Sequence, residues 1–165
     1  MAIIIEAPND VYSLENKENV KLFLAGGITN CPDWQKEIIK HFEKEKGLTI
    51  YNPRREYFDV GDPNASEAQI TWEYLKLLES DIILYWFSKG SLNPIVLYEL
   101  GRWGNSSRKT IFIGIDEGYE RKQDVEIQTK LARPDVKITY SLSDLASDVL
   151  KELNNVRFMK TISNT

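Results

Sequence analysis

The chain has one cysteine, Cys31, and one histidine, His41, in 165 residues. A single thiol cannot form an intrachain disulfide, and Cys/His zinc modules cannot be assembled from this set. Long apolar runs are missing as well. The longest, IILYWF from Ile82 to Phe87, falls far short of the roughly 20 residues needed to cross a bilayer. The N-terminus lacks a basic segment followed by an apolar stretch and a small-residue cleavage site, so a cytoplasmic protein is expected. Excess positive charge is absent too: 21 Lys+Arg stand against 25 Asp+Glu, a net charge of −4. Such a balance does not favour a nucleic-acid polymer or an anionic membrane as partner, although a local basic pocket for one phosphate stays open. What is present is 42% hydrophobic and 11% aromatic residues, enough for the core of one compact domain with no bias toward disorder. Small-molecule chemistry is the class left standing.

Short apolar runs punctuate the chain: Val20–Ala25, Leu48–Tyr51, Asp81–Phe87, Thr110–Ile115 and Val136–Thr139. Each has the length and composition of a buried strand. Between them lie helical patterns, with Trp34, Ile38, Ile39 and Phe42 on one face, then Ile70, Tyr74, Leu77 and Leu78 on another. Asp33, Ser66–Glu67 and Asn93–Pro94 read as helix starts, and Gly47 and Gly104 as stops. Strand and crossover helix alternate, which predicts a single-domain, flavodoxin-like open sheet of about five parallel strands, helices on both faces, order 2-1-3-4-5. The predicted organisation is an N-terminal arm or edge strand over 1–19, the α/β domain over 20–154, and a polar tail over 155–165. Ligands in such a fold bind at the carboxyl ends of the strands, here the loops Gly26–Pro32, Asn52–Ser66, Ser88–Asn93 and Asp116–Asp124.

Chemistry concentrates in three segments. LAGGITN follows the first core strand, and Gly26 and Gly27 allow backbone N–H groups to approach a ligand; the same pair also suits a bare strand-to-helix turn. It is neither a dinucleotide fingerprint nor a phosphate loop with lysine. NPIVLYELGRWG places Glu99 about a turn and a half into a helix, among apolar neighbours. Either Glu99 pairs with Arg102, three residues on, or with a group from another loop, or it stands desolvated for chemistry. ITWEYLKLLESDIILYWF puts Glu73 near the start of the preceding helix, where a second acid can converge on the first. Asp81 reads as a turn residue at the opposite edge.

The ordered set LFLAGGITNCPDWQ, YNPRR, QITWEYLKLLESDIILYWF and IVLYELGRWG resembles the nucleoside 2-deoxyribosyltransferase-like proteins, over about Lys21 to Ile115. The resemblance implies cleavage of the N-glycosidic bond of a 2′-deoxynucleoside through a covalent deoxyribosyl-glutamate, with transfer of the sugar to another nucleobase. It implies Glu99 as nucleophile and Glu73 as the acid that assists the base. Asn93 falls where some members carry a sugar-binding aspartate, and as an amide it offers no charged acceptor. No cofactor or metal is implied, and a homo-oligomer is, with Tyr98 and Trp103 as candidates for the subunit contact.

Around these residues, Gly26, Gly27, Asn93, Arg54, Arg55, Trp72 and Trp34 are the candidate substrate-binding set. Trp34, Tyr51, Tyr57 and Trp72 have the rings to stack a base, or are core. Arg54 and Arg55 keep open a second reading, hydrolysis of 2′-deoxynucleoside 5′-monophosphates, in which one arginine clamps the phosphate; the pair also suits a bond to Glu99 or Glu73, or plain solvation. A third reading is a nucleotide-binding sensor without turnover, against which the retention of two acids counts. His41 and Cys31 are assigned no catalytic role, Cys31 lying in the first loop.

Overall fold

The structure, a computed structural model, describes residues 1–9, 17–55 and 63–163. The described chain runs β1 (Ile3–Glu6), β2 (Val20–Gly26), α1 (Trp34–Phe42), β3 (Leu48–Asn52), α2 (Pro63–Glu79), β4 (Ile82–Phe87), α3 (Pro94–Trp103), β5 (Thr110–Ile115), α4 (Lys122–Ala132), β6 (Ile138–Thr139) and α5 (Leu142–Ser163). All strand pairs are parallel, in the order β1-β3-β2-β4-β5-β6. The five core strands thus take the flavodoxin-like order expected from the sequence. The N-terminal segment resolves into an edge strand, Ile3 to Glu6 pairing in register with Thr49 to Asn52.

The central strands are buried on both faces, so their side chains alternate between two cores. On β2, Val20, Leu22 and Leu24 meet α1 and α5, while Phe23 and Ala25 face the layer of α2, α3 and α4. On β4, Ile82, Leu84 and Trp86 join the first set, and Ile83, Tyr85 and Phe87 the second. This alternation puts Phe23, Ala25 and Tyr85 on the side of the sheet where Glu73 and Glu99 lie.

Several local expectations shift. α2 opens at Pro63, ahead of Ser66, using proline at the first helical position, where no backbone donor is required. The last strand shortens to Ile138–Thr139, because Val136 N–H donates to the Arg133 carbonyl in a turn. Gly47, in the left-handed region at φ 68°, turns the chain into β3 rather than ending α1, which stops at Phe42. The region expected as a polar tail continues α5 to Ser163. Val156 is buried there, Arg157 donates to the Lys46 carbonyl, and Lys160 Nζ reaches both the Asn19 carbonyl (2.8 Å) and Asp81 (2.6 Å). Asp81 also accepts from Lys21 N–H, a structural role at the sheet edge remote from the ligand loops, as expected. Among the described residues no helix is long and apolar enough to cross a membrane.

Candidate active site

The carboxyl ends of β2 and β4 bracket the point where the strand order reverses, and a cavity of about 340 Å³ opens there on the α2–α3 side. Its floor is Phe23 and Ala25, and its wall is the turn Gly26–Thr29. Pro53 enters after β3, Ser91 and Asn93 after β4, and both Glu73 and Glu99 face inward. The two acids nominated from sequence therefore share one site, reached from two helices.

Glu99 sits in the second turn of α3, whose first turn begins at Pro94 after Asn93. Arg102 does not pair with it: the guanidinium lies over the rings of Tyr74 (4.8 Å) and Trp103 (5.0 Å) and donates to the Tyr74 hydroxyl. Glu99 is half-buried, and among the described residues no cation pairs with it. Burial, reinforced by the charge of Glu73, pushes its carboxyl up to about 8. Glu73 is raised as well, chiefly by burial, against the opposing effects of a hydrogen bond from Gln69 and the charge of Arg55. Gln69, one helical turn earlier, donates Nε2 to Glu73 Oε1 at 2.6 Å and to the Pro53 carbonyl at 2.8 Å, aiming the carboxylate along the cavity wall. Burial thus disfavours the charged form of both carboxyls, and the charge of Glu73 adds to the effect at Glu99.

Tyr85 is a residue that motif reading passed over. It is wholly buried on β4, and its hydroxyl donates to the main-chain carbonyl of Glu99 at 3.2 Å. Burial and the nearby Glu99 charge raise its phenol well above the usual range. The available signal was a hydroxyl in the middle of an otherwise apolar strand, which must find a partner. Tyr85→Phe keeps the packing and removes the tie. It is expected to lower thermal stability by about 1 kcal/mol, measured by denaturant titration.

The glycines matter for a reason different from the one expected. Neither needs left-handed backbone. A Cβ on Gly26 would strike the Trp34 indole and the Trp86 carbonyl, and one on Gly27 would overlap the Asn93 amide and the Cys31 sulfur. Their smallness is consumed on the protein side of the turn, while the turn itself lines the cavity. Gly27→Ala is therefore expected to destabilise by about 1–3 kcal/mol and to impair activity by displacing Asn93, checked by melting temperature and steady-state kinetics.

Asn93 lines the cavity but is spoken for. It is left-handed at φ 49°, does not cap α3 with its side chain, and uses Nδ2 to hold the Ser88 and Ser91 carbonyls at 3.1 and 3.0 Å. Its Oδ1 accepts from the Cys31 thiol. Cys31 is thus behind the turn, with burial raising its thiol.

Four nominated residues do not line the cavity. Trp34 is buried beneath the turn and donates Nε1 to the Gly27 carbonyl at 3.0 Å, bracing the loop with its edge. Trp72 is core, tilted against Phe23 and edge-on to Tyr51, with Nε1 on the Asn9 carbonyl. Arg54 donates to the Pro32 and Cys31 carbonyls and to Gln35, which makes it a clasp for the first loop rather than a phosphate clamp. Arg55 acts on Glu73 by charge. Tyr51 is core, and Tyr57 lies outside the described residues.

No curated protein matches the chain. Residues 19–119 match the family model described as nucleoside 2-deoxyribosyltransferase like, a span that runs from the start of β2 past the end of β5 and includes Gly26, Glu73 and Glu99. The chain belongs to the nucleoside 2-deoxyribosyltransferase-like family.

Proposed function

We propose that the protein transfers 2-deoxyribose between nucleobases, with Glu99 as nucleophile and Glu73 as general acid and base. The observation that carries this reading is the pairing of the two acids in one partly desolvated cavity at the strand carboxyl edge. A pair that retains one proton holds what the first step consumes. The carboxylate of Glu99 bonds to C1′ as the C1′–N bond breaks, and the proton passes through Glu73 to the departing base. The second step reverses this: the incoming base attacks C1′, releases Glu99, and returns its proton to the pair. Between the steps the sugar is an ester of Glu99, and the oxocarbenium-like transition states on either side are stabilised by the adjacent carboxylate.

Phosphate recognition is the competing reading, and two observations weigh against it. No lysine or arginine is among the described residues lining the cavity, and Arg54 is occupied by loop carbonyls. Among the described lining residues a dianionic 5′-phosphate would meet the acidic pair and no cation. Arg54→Ala is expected to destabilise the first loop and leave any preference between thymidine and dTMP unchanged. Measured as the ratio of kcat/KM for the two substrates, a shift of that ratio against dTMP would restore the clamp.

The test of the reading is direct. Purified protein is incubated with thymidine, with and without adenine, and with dTMP in parallel, and products are separated by chromatography. Deoxyadenosine formed only in the presence of adenine is the expected result. Thymine released from dTMP without an acceptor would replace transfer by hydrolysis, and binding without turnover of either substrate would replace both by a sensor.

A further inference from the structure

Gln69 stands one turn before Glu73 on the same face of α2, and both are half-buried. Its amide is committed to one orientation. Nε2 carries two hydrogens, which go to the Pro53 carbonyl at 2.8 Å and to Glu73 Oε1 at 2.6 Å. A peptide carbonyl can only accept, so a rotated amide would set oxygen against oxygen at Pro53. The orientation that results leaves Gln69 Oε1 buried, with no hydrogen-bond partner among the described residues. A buried acceptor left over in this way is uncommon in a folded chain and calls for a reason. The anchor is firm: Pro53 is buried, and beside it Asn52 Oδ1 accepts from Arg54 N–H at 3.0 Å.

We infer that Gln69 is the positioning residue of the general acid: its N–H occupies Glu73 Oε1, so that Oε2 alone carries the exchangeable proton, and it steadies the carboxylate that remains once that proton has left. The role rests on the base exchange proposed above. In the first step the Glu73 Oε2–H bond breaks, and its proton joins the nucleobase, which keeps the electron pair of the C1′–N bond while Glu99 bonds to C1′. Glu73 is left as an anion. Its bond from Gln69 thereby becomes charge-assisted and stronger than in the ground state, the condition for a contact to raise the rate rather than the affinity. Two other charges face Glu73. Arg55, in the chain after β3, favours its ionised form, and Glu99 on α3 repels it.

Gln69→Met, close in size and without an N–H, is read in exchange of thymidine with adenine, alone and combined with Glu73→Gln. Alone it is expected to lower kcat by about 10–100-fold and to leave KM unchanged. The acid limb of kcat/KM should move to higher pH, because the bond removed favours the ionised carboxyl. In the Glu73→Gln background the same substitution should change kcat by less than about twofold, since no proton is left to position. An equal fall in both backgrounds makes Gln69 a packing residue and overturns the role while Glu73 remains the acid, and an effect on KM alone overturns it too. A wild type that exchanges no base overturns the underlying reading and the role with it. A second measurement needs no variant at Gln69. In isotope-labelled wild type the Gln69 side-chain amide resonance should shift as Glu73 titrates, and that shift should vanish in Glu73→Gln. An amide that does not respond overturns the role even where Gln69→Met fails to fold.

Discussion

Glu99→Gln is expected to lower kcat for base exchange by about 10⁴-fold or more, because an amide cannot form the sugar ester and Glu73, the other acid on the wall, is the one assigned to the base. The same substitution should make the protein more stable in alkaline solution. A carboxyl whose folded value lies near 8 is neutral in the native state where the unfolded chain is already ionised. Native protein therefore binds more protons than unfolded protein between about pH 4.5 and 8, and stability falls as pH rises through that window. Glutamine removes the ionisation. Wild type and variant should unfold at similar denaturant concentrations at pH 5, while at pH 9 the variant should be more stable by on the order of 3 kcal/mol. Loss of activity with loss of stability at both pH values would mean that Glu99 is a packing residue, and would sink its assignment as nucleophile.

The second large effect concerns Glu73. Its replacement by glutamine keeps the bond geometry with Gln69 available but removes both the proton donor and the charge that helps raise Glu99. A fall in kcat of about 10²–10⁴-fold is expected for bases that leave poorly without protonation. The form of the pH profile should change as well. In the wild type kcat/KM reports the free pair, needs one proton retained, and should be bell-shaped with its alkaline limb near 8. In Glu73→Gln the remaining carboxylate is active whenever it is ionised, so the bell should become a single rise with pH to a plateau. Its midpoint should lie below the wild-type alkaline limb, since one of the two causes raising Glu99 has gone and burial alone remains. A bell retained in the variant would show that Glu73 is not the proton's second home.

The sheet could be read from the sequence because its signal is additive along the chain: five apolar runs, each flanked by turn residues, allow few topologies once the crossovers are right-handed. Glu73 and Glu99 were legible for a related reason. Each is a charge inside an apolar helical pattern, and the strand order alone brings α2 and α3 to one edge. Direction of side chains was not legible. Trp34 and Trp72 look alike in sequence as possible stacking surfaces, yet one wedges beneath Gly26 and the other meets Phe23 and Tyr51 in the core. Arg54 illustrates the same limit, since two of its partners are carbonyls of the Cys31–Pro32 segment, over 20 residues away in the chain, and carbonyls carry no sequence identity. α5 extends beyond its expected end, and the sequence does not show it because the residues after Leu153 are mostly polar and carry little hydrophobic signal. Arg157 and Lys160 hold this stretch through main-chain carbonyls of Lys46 and Asn19, contacts that leave no hydrophobic period.

The anchoring of α5 bears on when the protein can fold. Leu145, Val149, Leu153 and Val156 complete the core beneath Val20, Leu22 and Leu24, and Lys160 joins residues up to 141 positions apart in sequence. α5 is synthesised after every strand, so a nascent chain carries β2, α1 and β3 with one side of the sheet unsealed until that helix leaves the ribosome. Closure is then a long-range event, costly in loop entropy and late in time. Chains arrested before Leu142 should be captured by chaperones or degraded quickly, whereas release of the full helix should confer protease resistance in a single step.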